Sequence, residues 1–176
     1  MNTAFQTDFE RTGFTDEIYG VFGRILILTS RFDSACKTLV KLPAIKATVS
    51  LKSIITDEEF KQLLNQNLSS FKNLNRAIQS LPEYKLGADK VLDKARDSRN
   101  ELIHSAALGM DRSLDDFDNI DKFMQVIAGF VRELIRGDVV ISCLISLSNK
   151  EDIPSYFLSK EYENSILKWV FQRFET

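Results

Sequence analysis

The chain has 176 residues, of which 44% are hydrophobic and 13 are phenylalanine, enough for one compact domain with its own core. Its formal net charge of −2 excludes nucleic-acid binding through bulk basic charge, so any RNA contact must depend on a local site. No apolar run approaches the roughly 20 residues of a transmembrane helix. The first residues also lack a secretory signal, so a cytoplasmic protein is expected.

Helical periodicity covers most of the chain, and its three prolines fall between the periodic segments. The first predicted helix runs from about 16 to 42 and ends at Pro43. A capping box formed by Thr56 and Glu59 opens the second predicted helix, which reaches about Ser80. Two long helices are therefore expected in the first half of the chain.

Three further helices are predicted in the second half. The third runs from about 87 to 108 and is expected to stop at Gly109, because glycine readily adopts the left-handed conformation needed just past a helix end. The fourth covers about 119–148, with a break near Gly137 left open. The last covers about 159–174.

The segment VVISCLISL at 139–147 has almost no polar face and is expected to be the most buried element. Its β-branched residues would also suit a strand, but no second strand candidate could pair with it, which favours a helix. Cys36 and Cys143 lie among apolar neighbours and are expected to be buried free thiols in a reducing compartment. The sequence thus predicts an all-α protein, one domain over 1–176, built as an up-and-down bundle of about five helices.

The third predicted helix has a core-facing apolar stripe that one charged residue interrupts. Six apolar side chains share that side of the helix: Leu92, Ala95, Leu102, Ile103, Ala106 and Met110. Arg99 projects into the middle of the stripe, and burying a guanidinium without a partner would cost several kcal/mol. Arg99 therefore needs an anionic partner, a hydrated cleft or a neighbouring subunit.

Arg96, Asn100 and His104 follow one another at intervals of four along the edge of this stripe, and His104 is the only histidine in the chain. The segment RNELIH at 99–104 resembles the signature of the HEPN family, an Arg, a polar residue after it and a His a few positions later. In that family the motif lies on a late helix of a helical bundle. The resemblance implies a homodimer in which the motif helices of two subunits face each other around one RNA-binding cleft.

The resemblance also implies a metal-independent endoribonuclease without a cofactor, with Arg99 and His104 as catalytic residues and Asn100 and Arg96 as auxiliary ones. An imidazole suits proton transfer from the 2′-hydroxyl or to the leaving oxygen, and a guanidinium fork matches the charged oxygens of the transition state. Asn100 would orient His104 or the phosphate. Because the reaction begins at a 2′-hydroxyl, the expected substrate is RNA and not DNA.

The implied context is a toxin–antitoxin or antiviral defence system, with an antitoxin or a nucleotidyltransferase as a partner and no membrane association. Some HEPN toxins carry a Tyr two residues after the His, where this chain has Ala106, so regulation through that tyrosine is not expected. A second function stays open: a non-catalytic HEPN-like helical dimer that binds a protein or a ligand through the Arg99 cleft and acts as a regulator.

Plainer interpretations of the same residues also stay open. Arg99 could form an internal salt bridge with a carboxylate on another helix, and the candidate partners are Asp8, Asp16, Asp118 and Asp121. His104 could complete a hydrogen bond near a helix end, and Arg96 could pair with Asp93 or Asn100. Aromatic residues of the last helix could stack on RNA bases, but their spacing is more typical of a core stripe: Trp169, Phe171 and Phe174.

Overall fold

The computed structural model describes residues 13–69, 73–81, 87–113 and 117–172, and within them the chain forms six α-helices, one 3₁₀ helix and no strand. In chain order these are α1 (Gly13–Leu51), α2 (Asp57–Ser69), α3 (Leu74–Gln79), α4 (Asp89–Ser113), α5 (Phe117–Asn149), the 3₁₀ helix (Ser155–Leu158) and α6 (Lys160–Phe171). The all-α prediction is confirmed, and the segment 139–147 is helical because it lies within α5.

The core lies where α5 packs against α4 and α1. Its most deeply buried side chains include Ile25, Phe32, Leu92, Val131, Leu134 and Ile141. Cys36 is buried among them as a free thiol, as predicted, and burial raises its pKa to about 12. Cys143 is also free but only partly buried. Among the residues that the structure describes, none of the helices combines the length and the apolar composition that a bilayer crossing needs.

The predicted end of the first helix at Pro43 is wrong, because α1 continues through this proline to Leu51. Proline removes one backbone donor and crowds the preceding turn, which usually ends or kinks a helix. Here the turns after Pro43 are held by their neighbours. Thr48 donates its hydroxyl to the carbonyl of Ala44, and Asn67 of α2 donates its side-chain amide to Thr48 Oγ1 at 2.9 Å. Tertiary contact therefore overrides the local signal.

The predicted second helix is divided into two. Its capping box is confirmed, since the backbone N–H of Thr56 donates to Glu59 Oε2 at 2.9 Å and the N–H of Glu59 donates to Thr56 Oγ1 at 3.3 Å. However, α2 ends at Ser69, and α3 starts afresh with Asn73 as its N-cap, whose Oδ1 accepts from the N–H of Arg76 at 2.9 Å. A strong N-cap residue thus begins a new helix inside a continuous apolar pattern.

Gly109 and Gly137, the two glycines considered as helix breakers, do not end or break a helix. Gly109 lies within α4, which continues to Ser113, and Gly137 lies within an unbroken α5. A Cβ atom built on Gly137 would lie 2.2 Å from Cβ of Ala95 in α4, so this glycine allows the two helices to approach closely. The expectation that 139–147 is the most buried element is also wrong, because only Ile141 in that segment is fully buried.

The last helix agrees with its prediction at the start, but one residue of its predicted core stripe is exposed. Ser159 is the N-cap of α6, and its hydroxyl accepts from the N–H of Tyr162 at 3.2 Å. Trp169 was expected in the core but is 42% exposed, whereas its neighbour Val170 is fully buried. Phe171 is partly buried and packs against the core, so the prediction fails at Trp169, and Phe174 lies outside the described residues.

Candidate functional site

Arg99 is bound by a carboxylate from another helix. Its Nε donates to Asp33 Oδ1 at 3.1 Å and its Nη2 donates to Asp33 Oδ2 at 2.6 Å, so both ends of the fork are matched. The Arg99 and Asp33 side chains are only 23% and 16% exposed. The internal salt bridge that the sequence allowed is therefore present, but its partner is Asp33 of α1 and not one of the four aspartates expected.

Arg99 also contacts its neighbour in sequence. Its Nη1 donates to Oδ1 of Asn100 at 3.3 Å, on the side of the guanidinium that Asp33 does not occupy. Asn100 itself is exposed. The structure thus brings Asp33, Arg99 and Asn100 together in one hydrogen-bonded chain that runs from the α1–α4 contact to the surface.

Arg96 takes no part in this chain. It forms ion pairs with Asp93 at 2.8 Å and with Asp97 at 2.9 Å, and its Nη1 donates to Oδ1 of Asn75 at 2.7 Å. The predicted alternative, pairing with Asp93, is therefore present. These contacts anchor α4 to the region of α3 and leave Arg96 engaged away from Arg99.

His104 is exposed on the outer side of α4. Arg99 and His104 are five residues apart, so at roughly 100° per residue their side chains leave the helix about 140° apart. Within the described part of the chain, no hydrogen bond or ion pair reaches the His104 imidazole. A single subunit therefore holds Arg99 and Asn100 together, with His104 one turn beyond Asn100 on α4 and directed away from Arg99.

A second ion pair, which was not predicted from the sequence, joins α1 to α5 two residues from Asp33. Nε of Arg31 donates to Asp138 at 3.0 Å, and Asp138 is buried while Arg31 remains largely exposed. Burial raises the pKa of the Asp138 carboxyl, and the contact with Arg31 only partly offsets that rise. The available sequence signal was a carboxylate placed between Gly137 and the apolar run at 139–147.

Replacing Asp138 with Asn is expected to change how stability depends on pH. Because the pKa of Asp138 is higher in the folded than in the unfolded protein, the unfolded chain releases this proton first as pH rises from about 4. The wild type should therefore lose stability relative to Asp138→Asn as the pH rises above about 4. Urea denaturation of both proteins at several pH values measures this, with Asp152→Asn, at an exposed site, as the control. A relative gain by the wild type over that range would contradict the assignment.

No protein-family model, no curated protein and no solved structure matches the chain. Among the described residues, no group of three or more His, Cys, Asp or Glu side chains is placed to hold a metal ion. The polar residues of α4 and their partners are therefore the features from which a function can be inferred.

Proposed function

We propose that this protein is a HEPN-type, metal-independent endoribonuclease that acts as a homodimer in the cytoplasm. The observation that carries the proposal is the fixed guanidinium of Arg99. Asp33 accepts two hydrogen bonds from the inner side of this guanidinium, while Nη1 of Arg99 donates to the exposed Asn100. A guanidinium whose orientation is set in advance stabilises developing negative charge without reorganising during the reaction.

A dimer would supply what one subunit lacks. Because His104 leaves α4 about 140° from Arg99, the two side chains of one subunit diverge. Two α4 helices facing each other would combine two guanidinium groups and two imidazoles around one cleft. This arrangement provides both a base and an acid from the only histidine of the sequence.

The proposed reaction is a transesterification. One His104 takes the proton from a 2′-hydroxyl, whose oxygen attacks the adjacent phosphorus while the bond to the 5′-oxygen breaks. The second His104 gives a proton to that leaving oxygen, and Arg99 stabilises the charge on the phosphorane oxygens. The products carry a 2′,3′-cyclic phosphate and a 5′-hydroxyl. Asn100 would orient the phosphate or His104, and Arg96 would act only through the placement of α4.

The proposed biological context is the one that the HEPN resemblance implies. An unrestrained ribonuclease harms its own cell, so we propose a role in a toxin–antitoxin or antiviral defence system with an antitoxin or a nucleotidyltransferase as the restraining partner. The second candidate is a non-catalytic HEPN-like dimer that binds a protein or ligand and acts as a regulator. The Asp33–Arg99 ion pair favours this alternative, because it already neutralises Arg99 within the subunit.

Controlled expression in cells tests the proposal. The wild type is expected to arrest growth and fragment cellular RNA, and His104→Ala is expected to do neither at the same expression level. Gln62→Ala, at an exposed position of α2, is the matched control and should behave as the wild type. Intact RNA and normal growth with the wild type would favour the regulator instead.

A further inference from the structure

A groove of about 680 Å³ lies between α4, α5 and the segment formed by the 3₁₀ helix and α6. Its volume is within the range of roughly 300–1,000 Å³ that is typical of small-molecule sites. Lys90 and Lys94, which line one wall, leave α4 about 180° and 140° from Arg99. The groove is therefore separate from the candidate ribonuclease site, and a ligand could bind there whether or not the protein cleaves RNA.

Apolar side chains supply most of the groove surface. They come from all three walls: Val91, Val139, Val140, Phe157, Leu158 and Tyr162. The Phe157 and Tyr162 rings meet edge to face with their centroids 5.1 Å apart, which fixes the aromatic wall. Leu158 is 67% exposed beside them. An apolar body entering the groove would remove these side chains from water.

The acidic and the basic residues around the groove differ in whether they already form ion pairs within the protein. Three carboxylates line it, and each is already paired with an arginine. Asp93 lies 2.8 Å from Arg96, and Glu133 lies 2.8 Å from Arg136. Glu163 completes the set, with its second oxygen 3.4 Å from Arg136. Each acidic residue of the groove thus has an arginine partner within the protein, although Arg136 is shared by the two glutamates.

The lysines of the groove are not neutralised in this way. Lys90 and Lys94 are both exposed, and neither forms an ion pair with any of the residues that the structure describes. They are four residues apart on one helix, where two like charges repel each other. An anionic group placed between them would gain two charge-assisted contacts and relieve that repulsion.

From the apolar walls and these two lysines, we infer that the groove binds a small amphipathic organic anion, with its hydrocarbon body on the valine and aromatic wall and its carboxylate at Lys90 and Lys94. The ligand class is thereby an aliphatic or aromatic carboxylate. A cationic or neutral amphiphile of the same size cannot form the charge-assisted contacts with Lys90 and Lys94, so it binds more weakly.

Fluorescence of 8-anilinonaphthalene-1-sulfonate, an amphipathic anion, tests this inference on the full chain. We expect the probe to bind the folded wild type, decanoate to displace it, and decyltrimethylammonium to displace it poorly. The double substitution Lys90→Gln/Lys94→Gln should weaken probe binding roughly tenfold. Lys61→Gln/Lys122→Gln removes two exposed lysines outside the groove and should leave binding unchanged.

A second pair of variants tests the apolar wall. Leu158→Asp should also weaken binding, whereas Leu147→Asp, which alters a leucine that is 60% exposed outside the groove, should not. Near-ultraviolet circular dichroism confirms that each variant keeps its tertiary packing. The inference is overturned if the wild type does not bind the probe, if groove and control variants bind it equally, or if decyltrimethylammonium competes as well as decanoate.

Discussion

Under the proposed ribonuclease mechanism, Arg99→Lys is expected to reduce RNA cleavage about 10²–10³-fold, because the loss of one donor aimed at the transition state usually has an effect of this size. Lysine keeps the positive charge and can still pair with Asp33. It cannot, however, bind both Asp33 oxygens and also extend a third donor towards Asn100, as the guanidinium does. The free energy of unfolding should fall by only about 1–2 kcal/mol, since charge pairing is retained.

Cleavage rates and urea denaturation, measured on the same preparations, separate these two effects. Arg31→Lys is the matched control: it changes an arginine that also binds both oxygens of one aspartate, Asp138, outside the candidate site, and should leave the cleavage rate nearly unchanged. If Arg99→Lys cleaves RNA as fast as the wild type, Arg99 serves only as the structural partner of Asp33.

Gly137→Ala is expected to lower the free energy of unfolding by about 1–3 kcal/mol, the usual effect of overpacking a core. The new methyl group would lie 2.2 Å from Cβ of Ala95 and 3.1 Å from Cε2 of the fully buried Phe32. The Ala95 methyl can move only with the backbone of α4. The gain in helix propensity from glycine to alanine, roughly 0.5–1 kcal/mol, offsets only part of this cost.

Gly129→Ala provides the control, because it makes the same change in the same helix where nothing lies within 4 Å of the new methyl group. It should stabilise the protein by up to about 1 kcal/mol. Adding Ala95→Gly to Gly137→Ala should restore part of the lost stability by reopening the contact. Equal melting temperatures for Gly137→Ala and Gly129→Ala would show that α4 and α5 are not in close contact at Gly137.

The class of the fold could be predicted from the sequence because apolar residues repeat with helical spacing over long segments. The helix ends were less predictable. Pro43 and Gly109 are local stop signals, yet both lie inside helices. The continuation of α1 beyond Pro43 is supported by the hydrogen bond between Thr48 and Asn67 of α2. These two residues are nineteen positions apart, so no local sequence pattern indicates their contact. Gly137 likewise allows α4 and α5 to lie close together, and this contact can be recognised only in the packed structure.

The candidate site, like the fold, could be predicted only in part from the sequence. Helical spacing identified Arg99 as a charge within an apolar stripe, and the structure supplies the anion that such a charge needs. Asp33 itself was missed because it lies 66 residues earlier in the chain, and sequence spacing does not tell which face of α1 meets α4. The pair Arg31 and Asp138 was missed for the same reason, since its two members are 107 residues apart.

The most direct test of the ribonuclease proposal is cleavage of a single-stranded RNA by the purified protein in the presence of a chelator, with chemical mapping of the new ends. We expect cleavage by the wild type with 2′,3′-cyclic phosphate and 5′-hydroxyl ends. We also expect a rate lower by roughly 10²–10⁴-fold in His104→Ala, with unchanged circular dichroism. Cleavage by His104→Ala at the wild-type rate, or intact RNA with both proteins, would contradict the proposal.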